Sequence, residues 1–517
     1  MKSFNIAGPC IKRLHYMINS AERLQGVDAL IDNGNYFVLH AARQSGKTTF
    51  IQDLTNRLNI EGNYYALYCS LENLQGITDV EKGIPEIVRS IQRDISDYQL
   101  PHSKEFAKDA DFTSFTNVLQ QSLSHYCRLL DKPLVVFFDE ADCLSEGTLI
   151  TFLRQLRNGH NKRSIAPFIH SVALVGMRNI RDFKAKVRPD HETLGSASPF
   201  NIVTKVMTLT NFTKEEISEL YAQHTAETGQ KFDGDAVDFI YEQTCGQPWL
   251  VNAVAREVIV EKLEDDFSKP VTKELAAQAI QTIILRRDTH IDSLLERLKE
   301  ERVRSVIEPM ILGEYVDVVT DDFQYVKDLG LIKQTPQILP ANPIYAEVIF
   351  RTLNYNVQET LKREDNNQYL APRYLKNGRI DMEFLMSDFQ QFWRENSEIW
   401  EERFQYKEAA PHLVLMAFLQ RVINGGGQII REAAVGKKRL DICIVYENKK
   451  YPVELKIDRY KNTLADGLKQ TAEYAEKFGC AEGCLCIFDR SPEKSWDEKI
   501  YMRQETVDSK KITVVGL

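Results

Sequence analysis

Residues 36–58, YFVLHAARQSGKTTFIQDLTNRL, constrain this chain more than any other stretch. The apolar run at 36–40 is of strand type, and the polar loop after it opens into an amphipathic helix. A loop ending Gly46-Lys47-Thr48 is suited to phosphate. Backbone N–H groups and the helix N-terminus cradle the anion, Lys47 reaches its outer oxygens, and the Thr48 hydroxyl suits Mg²⁺. Ala41 stands where such a loop ordinarily has glycine, a departure that a small side chain tolerates. The residues expected to line a bound nucleotide here are Ala41, Arg43, Gln44, Ser45, Gly46, Lys47, Thr48 and Thr49.

A phosphate loop needs an acidic partner, and KPLVVFFDEADCL, residues 132–144, supplies one. It reads as a buried strand ending in Asp139-Glu140, with Asp139 toward the Mg²⁺ and Glu140 polarising the attacking water. A helix follows over 147–161, then a strand in HSVALVGMRNI whose end at Arg178 suits a γ-phosphate sensor. Arg154 and Arg157 lie three apart on the helix between, as an arginine finger toward a neighbouring subunit or as a solvated face. His15 and Tyr16 either pack on a base or anchor the first segment. TCGQPWLVNAVAREV opens a helix with Gly246-Gln247-Pro248, and 296–355 reads as helices and a small hairpin, the pattern of a winged helix.

Composition narrows the class. The chain has 517 residues, 43% hydrophobic and 27% charged, which suits a soluble multidomain protein. Apolar runs such as PLVVFF and HLVLMAFL are too short to span a bilayer. The first residues have no continuous apolar segment of signal-peptide type. The nine cysteines show no zinc-type double pair, and Cys484 and Cys486 read as buried thiols on one strand face. A reducing cytoplasm is therefore the expected location. A net charge of −9 opposes bulk attraction to nucleic acid, so any such binding needs a local basic patch.

The order of these motifs resembles the AAA+/STAND group of P-loop ATPases, in which a helical lid and a winged helix follow the core. FNIAGPC, YFVLHAARQSGKTT, FFDEADCL and GQPWLVNA resemble a bacterial family of AAA-like ATP-binding proteins. The resemblance implies an ATP site with Mg²⁺, a Gly-x-Pro turn near the nucleotide at Gly246 and Pro248, and Arg178 at the sensor position. It also implies a homo-oligomer.

Past the polar stretch at 356–368, aromatic residues recur at helical spacing (Phe389, Phe392, Trp393, Trp400, Phe404), the mark of a packing face. RLDICIVYENKKYPVELKI, residues 439–457, then reads as a β-hairpin turning at 447–450. Glu454 and Lys456 share one strand face, with Val453, Leu455 and Ile457 on the buried one. Asp441 shares its face with Cys443 and Val445, where a carboxylate needs a cation or a hydrogen bond.

The spacing Asp441…Glu454-Leu455-Lys456 resembles the PD-(D/E)XK nuclease superfamily, with Leu440 where proline often stands. Glu408 on a preceding helix and Gln470 with Tyr474 four apart on a following one add to the likeness, the last pair as in RecB-like members. This resemblance implies Mg²⁺, or Mn²⁺, at Asp441 and Glu454, and DNA as substrate. The basic run 437–439 offers phosphate contacts. The expected architecture is α/β: a P-loop ATPase core with its N-terminal segment over 1–205, a helical lid over 206–290, a winged helix over 291–355, a linker and connecting helix over 356–398, and a nuclease-like domain over 399–517. The expected function is ATP-dependent cleavage of DNA without membrane association, in defence or mobile-element biology. The alternative is an oligomerising scaffold, or a DNA-remodelling ATPase whose nuclease-like domain binds without cutting.

Overall fold

The computed structural model describes residues 1–19, 23–176, 202–286, 289–311, 316, 318–334, 338–349, 374–376, 378–403, 414–416, 418–419, 427–435, 438–446, 449–458, 462–489, 491 and 493–517. They form two compact units, one of Met1–Arg297 with Asp317–Glu347 and one of Leu298–Val316 with Val348–Leu517.

The first unit is built on five strands: β1 (Tyr36–His40), β2 (Tyr65–Ser70), β3 (Leu134–Asp139), β4 (Ser171–Gly176) and β5 (Val203–Thr208). Their order is β2-β3-β4-β1-β5, every neighbouring pair parallel. β3 and β4 are buried along their whole length, which is why they read as unbroken apolar runs rather than alternating ones.

Helices cover both faces: α1 (Val27–Asp32), α2 (Lys47–Glu61), α3 (Val80–Asp97), α4 (Val118–Leu129) and α5 (Glu146–Asn161). Because side chains alternate along a strand, Phe37 and Leu39 pack with Phe50, Ile51 and Leu54 of α2. Tyr36, Val38, Val136 and Phe138 face α3, α4 and α5 through Ile87, Ile91, Leu123 and Phe152 on the other side. Each such buried side chain contributes about 1.5–3 kcal/mol relative to exposure.

After β5 come α6 (Lys214–Thr228), α7 (Gly234–Thr244), α8 (Pro248–Arg256), α9 (Lys273–Arg286) and α10 (Thr289–Arg297), then α11 (Asp321–Asp328) and the short antiparallel ladder β6 (Ile332–Gln334) with β7 (Ile338–Pro340). α6 starts on a capping box between Thr213 and Glu216. Gln247 caps α8 by accepting from Leu250 N at 2.6 Å, with Pro248 in the first turn. Gly246, at φ +71°, lies against Phe212 so closely that a Cβ would come within 1.9 Å of the Phe212 carbonyl oxygen.

In the second unit, after the small ladder β8 (Leu375–Lys376) and β9 (Arg379–Ile380), α12 (Met382–Arg403) leads to six strands: β10 (Gly427–Val435), β11 (Lys438–Tyr446), β12 (Lys449–Ile457), β13 (Glu482–Phe488), β14 (Tyr501–Val507) and β15 (Lys510–Gly516). Their order is β10-β11-β12-β13-β15-β14. The first three form an antiparallel meander, and β13 joins β12 in parallel. The crossover from β12 to β13 is α13 (Thr463–Lys477). α13 packs through Ala472 on Leu485, Ile487, Ile512 and Val514. The opposite parity of β13, Cys486 and Phe488, meets α12 at Met386, Phe389 and Trp393. Cys484 and Cys486 are buried thiols with sulfurs 3.9 Å apart. Tyr446 pairs with Lys449, so Lys449 and Lys450, expected in the turn, belong to β12 instead. α12 runs through the expected boundary at 398/399. The polar stretch 356–368, Phe404 and most of 407–424 lie outside the described residues.

No helix among the described residues is long and apolar enough to cross a membrane. Gly246→Ala is expected to destabilise the protein by roughly 2–4 kcal/mol, from positive-φ strain together with the backbone clash. Denaturant unfolding of the full chain checks it.

Candidate nucleotide-binding site

β1 delivers its chain end to the loop 41–46, and Gly46, at φ +88°, turns that loop into α2. L-residues with side chains rarely adopt this conformation, so the turn accounts for glycine at 46. Lys47 is 6% exposed, and its Nζ donates to the Ala41 and Ala42 carbonyl oxygens at 2.8 and 2.9 Å. Ser45 Oγ donates to the Ala42 oxygen at 2.7 Å. Ala41 is itself buried in the core beneath α2, which is where its methyl group is accommodated.

The acidic end of β3 meets this turn. Thr48 Oγ1 donates to Asp139 Oδ2 at 2.8 Å, and the Tyr68 hydroxyl, on β2, donates to the same oxygen at 3.1 Å. Glu140 N donates to Asp139 Oδ1 at 3.0 Å. Glu140 holds a left-handed backbone, φ +56°, unusual for a residue with a side chain. Burial, then Asp142 and Asp139, push its carboxyl up to about 7 against the pull of Lys47. Burial drives Lys47 down, opposed by Glu140, Asp139 and Asp142.

A cavity of about 540 Å³ opens beside the loop, within the range of small-ligand sites. Its walls come from the N-terminal segment, the loop and α8, including Cys10, Lys47, Thr49, Glu140, Trp249 and Asn252. Trp249 Nε1 donates to the Ile6 oxygen at 2.8 Å, and Cys10 N donates to Thr49 Oγ1 at 2.9 Å. Gln247 Nε2 donates to the Gln44 oxygen at 3.3 Å, and Arg43 Nη1 to Ser293 Oγ at 2.5 Å. Pro248 also lines the cavity. Tyr16 reaches its wall but is buried, its hydroxyl donating to Glu227 Oε2 at 2.9 Å and its ring 4.9 Å from that of Phe4. His15 Nδ1 accepts from Ile11 N at 2.8 Å. Arg154 is exposed and Arg157 half-buried on α5. Arg178 lies outside the described residues. Sequence motifs gave no sign of Tyr68, Asp142 or Arg23, which reach the site only through the packing of β2, the segment after β3 and the segment before α1.

A family model for an AAA-like domain matches residues 13–349, well over half of the chain. The chain belongs to this AAA-like family. No curated protein matches it. Among solved structures, the Walker-type ATPase of Pyrococcus abyssi is similar at 15% identity, covering 67% of this chain and 99% of that one, with a TM-score of 0.47. Cdc6p from Pyrobaculum aerophilum is similar at 15% identity over 65% and 96% of the two chains, TM-score 0.35. The RuvB Holliday junction branch migration motor of Thermotoga maritima is similar at 13% identity over 63% and 91%, TM-score 0.33. Likeness this distant carries no activity or partner to this AAA-like protein.

The second constellation lies in the other unit. Ile442 pairs with Val453, so extending that antiparallel register by one residue brings Asp441 of β11 opposite Glu454 of β12. Glu454 is 2% exposed and accepts from Lys456 Nζ at 2.8 Å. The strand pattern alone leaves this face open to solvent, yet α13 covers it: a Cβ on Gly467 would lie 3.4 Å from Lys456 Cγ. Tyr474 is buried against Cys443. Gln470 is half-buried, and its Oε1 has no hydrogen-bond partner among the described residues. Among the described residues no group of three or more His, Cys, Asp or Glu forms a metal cluster. Glu408 and the Asp441 side chain lie outside the description.

The raised carboxyl at Glu140 sets a pH dependence. In the folded state it holds a proton up to about 7, against about 4.5 unperturbed, so its contribution is full at acid pH and lost as pH rises through about 7. Glu140→Gln, which cannot ionise, is therefore expected to melt above wild type at pH 8 without nucleotide or Mg²⁺. The gap should narrow as pH falls from about 7 and close only below about 4.5. Thermal scans across that range decide it, and parallel curves would count against a Glu140 that titrates near 7.

Proposed function

We propose that the AAA-like unit binds ATP with Mg²⁺ and hydrolyses it, and that its nucleotide state governs cleavage of DNA by a PD-(D/E)XK-type site in the second unit. The observation that carries the first part is the meeting of Lys47, Thr48, Asp139 and Glu140 beside one cavity. The lysine supplies the cation for the β/γ-phosphates, and the Thr48 hydroxyl and Asp139 carboxylate are the hard oxygen ligands that Mg²⁺ takes. When bound, the metal neutralises charge on the phosphates. Glu140 is the acceptor for the proton of the attacking water, and nearby Lys47 helps hold it ionised. Arg178 is proposed as sensor, Pro248 as part of the wall near the nucleotide, and 291–355 as a winged helix, a reading supported by α11 with β6 and β7.

The nuclease part is supported by the element order of the second unit and by the register that brings Asp441 opposite Glu454. Those two carboxylates are proposed to hold the divalent cation, Mg²⁺ or Mn²⁺, with Lys456 at the scissile phosphate and Gln470, Tyr474 and Glu408 supporting. One observation favours a rival, a nuclease-like domain that binds without cutting inside an oligomeric scaffold: Lys456 already neutralises Glu454 within the protein. A buried pair of that kind is also a structural device.

Lys47→Ala should weaken ATP binding by at least about a hundredfold, because the outer phosphates lose a charge-assisted contact. Glu140→Gln should retain ATP while slowing turnover by two orders of magnitude or more, roughly the worth of a general base. Nucleotide titration and phosphate release measure both, and normal turnover by Glu140→Gln removes its role.

Asp441→Ala and Glu454→Ala should each abolish Mg²⁺- or Mn²⁺-dependent nicking of plasmid DNA while ATP affinity stays at the wild-type value. Wild type that leaves plasmid DNA intact with and without ATP under both metals supports the non-cutting rival instead.

A further inference from the structure

Arg23 belongs to no motif, yet its side chain is only 7% exposed and lines the same cavity as Lys47 and Thr48. Three groups at the start of the lid hold its guanidinium. Nη2 donates to the Thr210 oxygen at 2.6 Å, Nε lies 3.5 Å from Glu216 Oε1, and Cζ sits 4.6 Å from the centre of the Phe212 ring. The remaining nitrogen, Nη1, is turned to the phosphate loop, 3.8 Å from where a Cβ on Gly46 would stand.

A guanidinium carries five N–H donors in a rigid fork and keeps its charge when buried. Here the carboxylate facing it, Glu216, stands at the long end of ion-pair distance and is itself partly solvated, 21% exposed. The arrangement leaves a buried cation with donors directed at the last glycine of a loop of the kind that cradles α/β-phosphates. Burial lowers the Arg23 pKa and Glu216 opposes that fall.

We propose that Arg23 is a fixed phosphate ligand of the nucleotide site, donating from Nη1 to the α/β-phosphates beside Gly46. This rests on the nucleotide reading above and extends it. Lys47 reaches the outer phosphates from inside the loop, and Arg23 reaches the inner ones from the N-terminal segment. Because Nη2 donates to the Thr210 oxygen and Nε pairs with Glu216 at longer range, the same guanidinium links bound phosphate to the start of the lid. ATP and ADP are then held alike by Arg23, and discrimination between them falls to other groups.

The test is competition titration of the full chain with ATP, ADP and adenosine, using wild type, Lys47→Ala, Arg23→Gln and Arg23→Lys, with a melting curve for each. Arg23→Gln should weaken ATP and ADP equally, by about ten- to a hundredfold, and leave adenosine unchanged. Arg23→Lys should recover part of the loss. An equal loss for all three ligands with a lower melting point marks a hinge pin and overturns the proposal, as does no loss at all. Should Arg23→Gln fail to fold, Arg23→Lys carries the same requirement: a loss for ATP and ADP with adenosine spared. Wild type that binds none of the three ligands brings down the nucleotide reading itself, which is distinct from wild type binding ATP and Arg23→Gln binding it equally well.

Discussion

The hydrogen bond from Thr48 to Asp139 organises the AAA-like unit. Thr48 belongs to the first turn of α2, which follows β1, and Asp139 ends β3. β4 lies between those strands, so the bond reaches over the carboxyl end of an intervening strand. In an open parallel sheet that edge is where ligands bind, because every strand there feeds a loop and a helix N-terminus. The bond fixes the phosphate loop against the acidic strand end and draws in Tyr68 and the Glu140 amide, both of which donate to Asp139.

Charge is concentrated at the same place. Asp139, Glu140 and Asp142 gather around Lys47 in a setting partly removed from water, which is why Glu140 is held toward its neutral form and Lys47 is pulled in two directions. Such a cluster is stabilised by an added cation and by an anion that occupies the lysine, the pair that a metal-bound polyphosphate brings. The site's electrostatics thus fit the ligand class implied by the loop. The N-terminal segment closes the wall through Ile6, Cys10 and Arg23, contacts that bring segments far apart in sequence to one cavity.

The second unit shows a different balance. Glu454 is buried, and its neighbour two residues on supplies the counter-charge. On β12 both parities are covered, one of them by α13, so the alternation of polar and apolar residues does not mark solvent and core there as it does on a half-exposed strand. A polar pair on such a strand is retained for a reason other than solvation: a site, or the specification of how α13 lies on the sheet.

Sequence alone determined the local chemistry. Unbroken apolar runs marked β1, β3 and β4 because both faces of a parallel sheet are covered. Gly46-Lys47-Thr48 marked a phosphate-type loop followed by a helix start, and the alternation over 439–457 marked paired strands. These are short-range properties, set by backbone sterics and by the 2.0 and 3.6 periodicities. The tertiary structure decided what those patterns do not encode: the order β2-β3-β4-β1-β5, the reach of Thr48 to Asp139, and the placing of Tyr68, Asp142 and Arg23 at the cavity. It decided equally that Lys449 and Lys450 pair as strand and that Glu454 lies under a helix. The reason is that burial and long-range pairing are settled by which elements stack on which, a choice made by the summed apolar contacts of the whole unit rather than by any one segment.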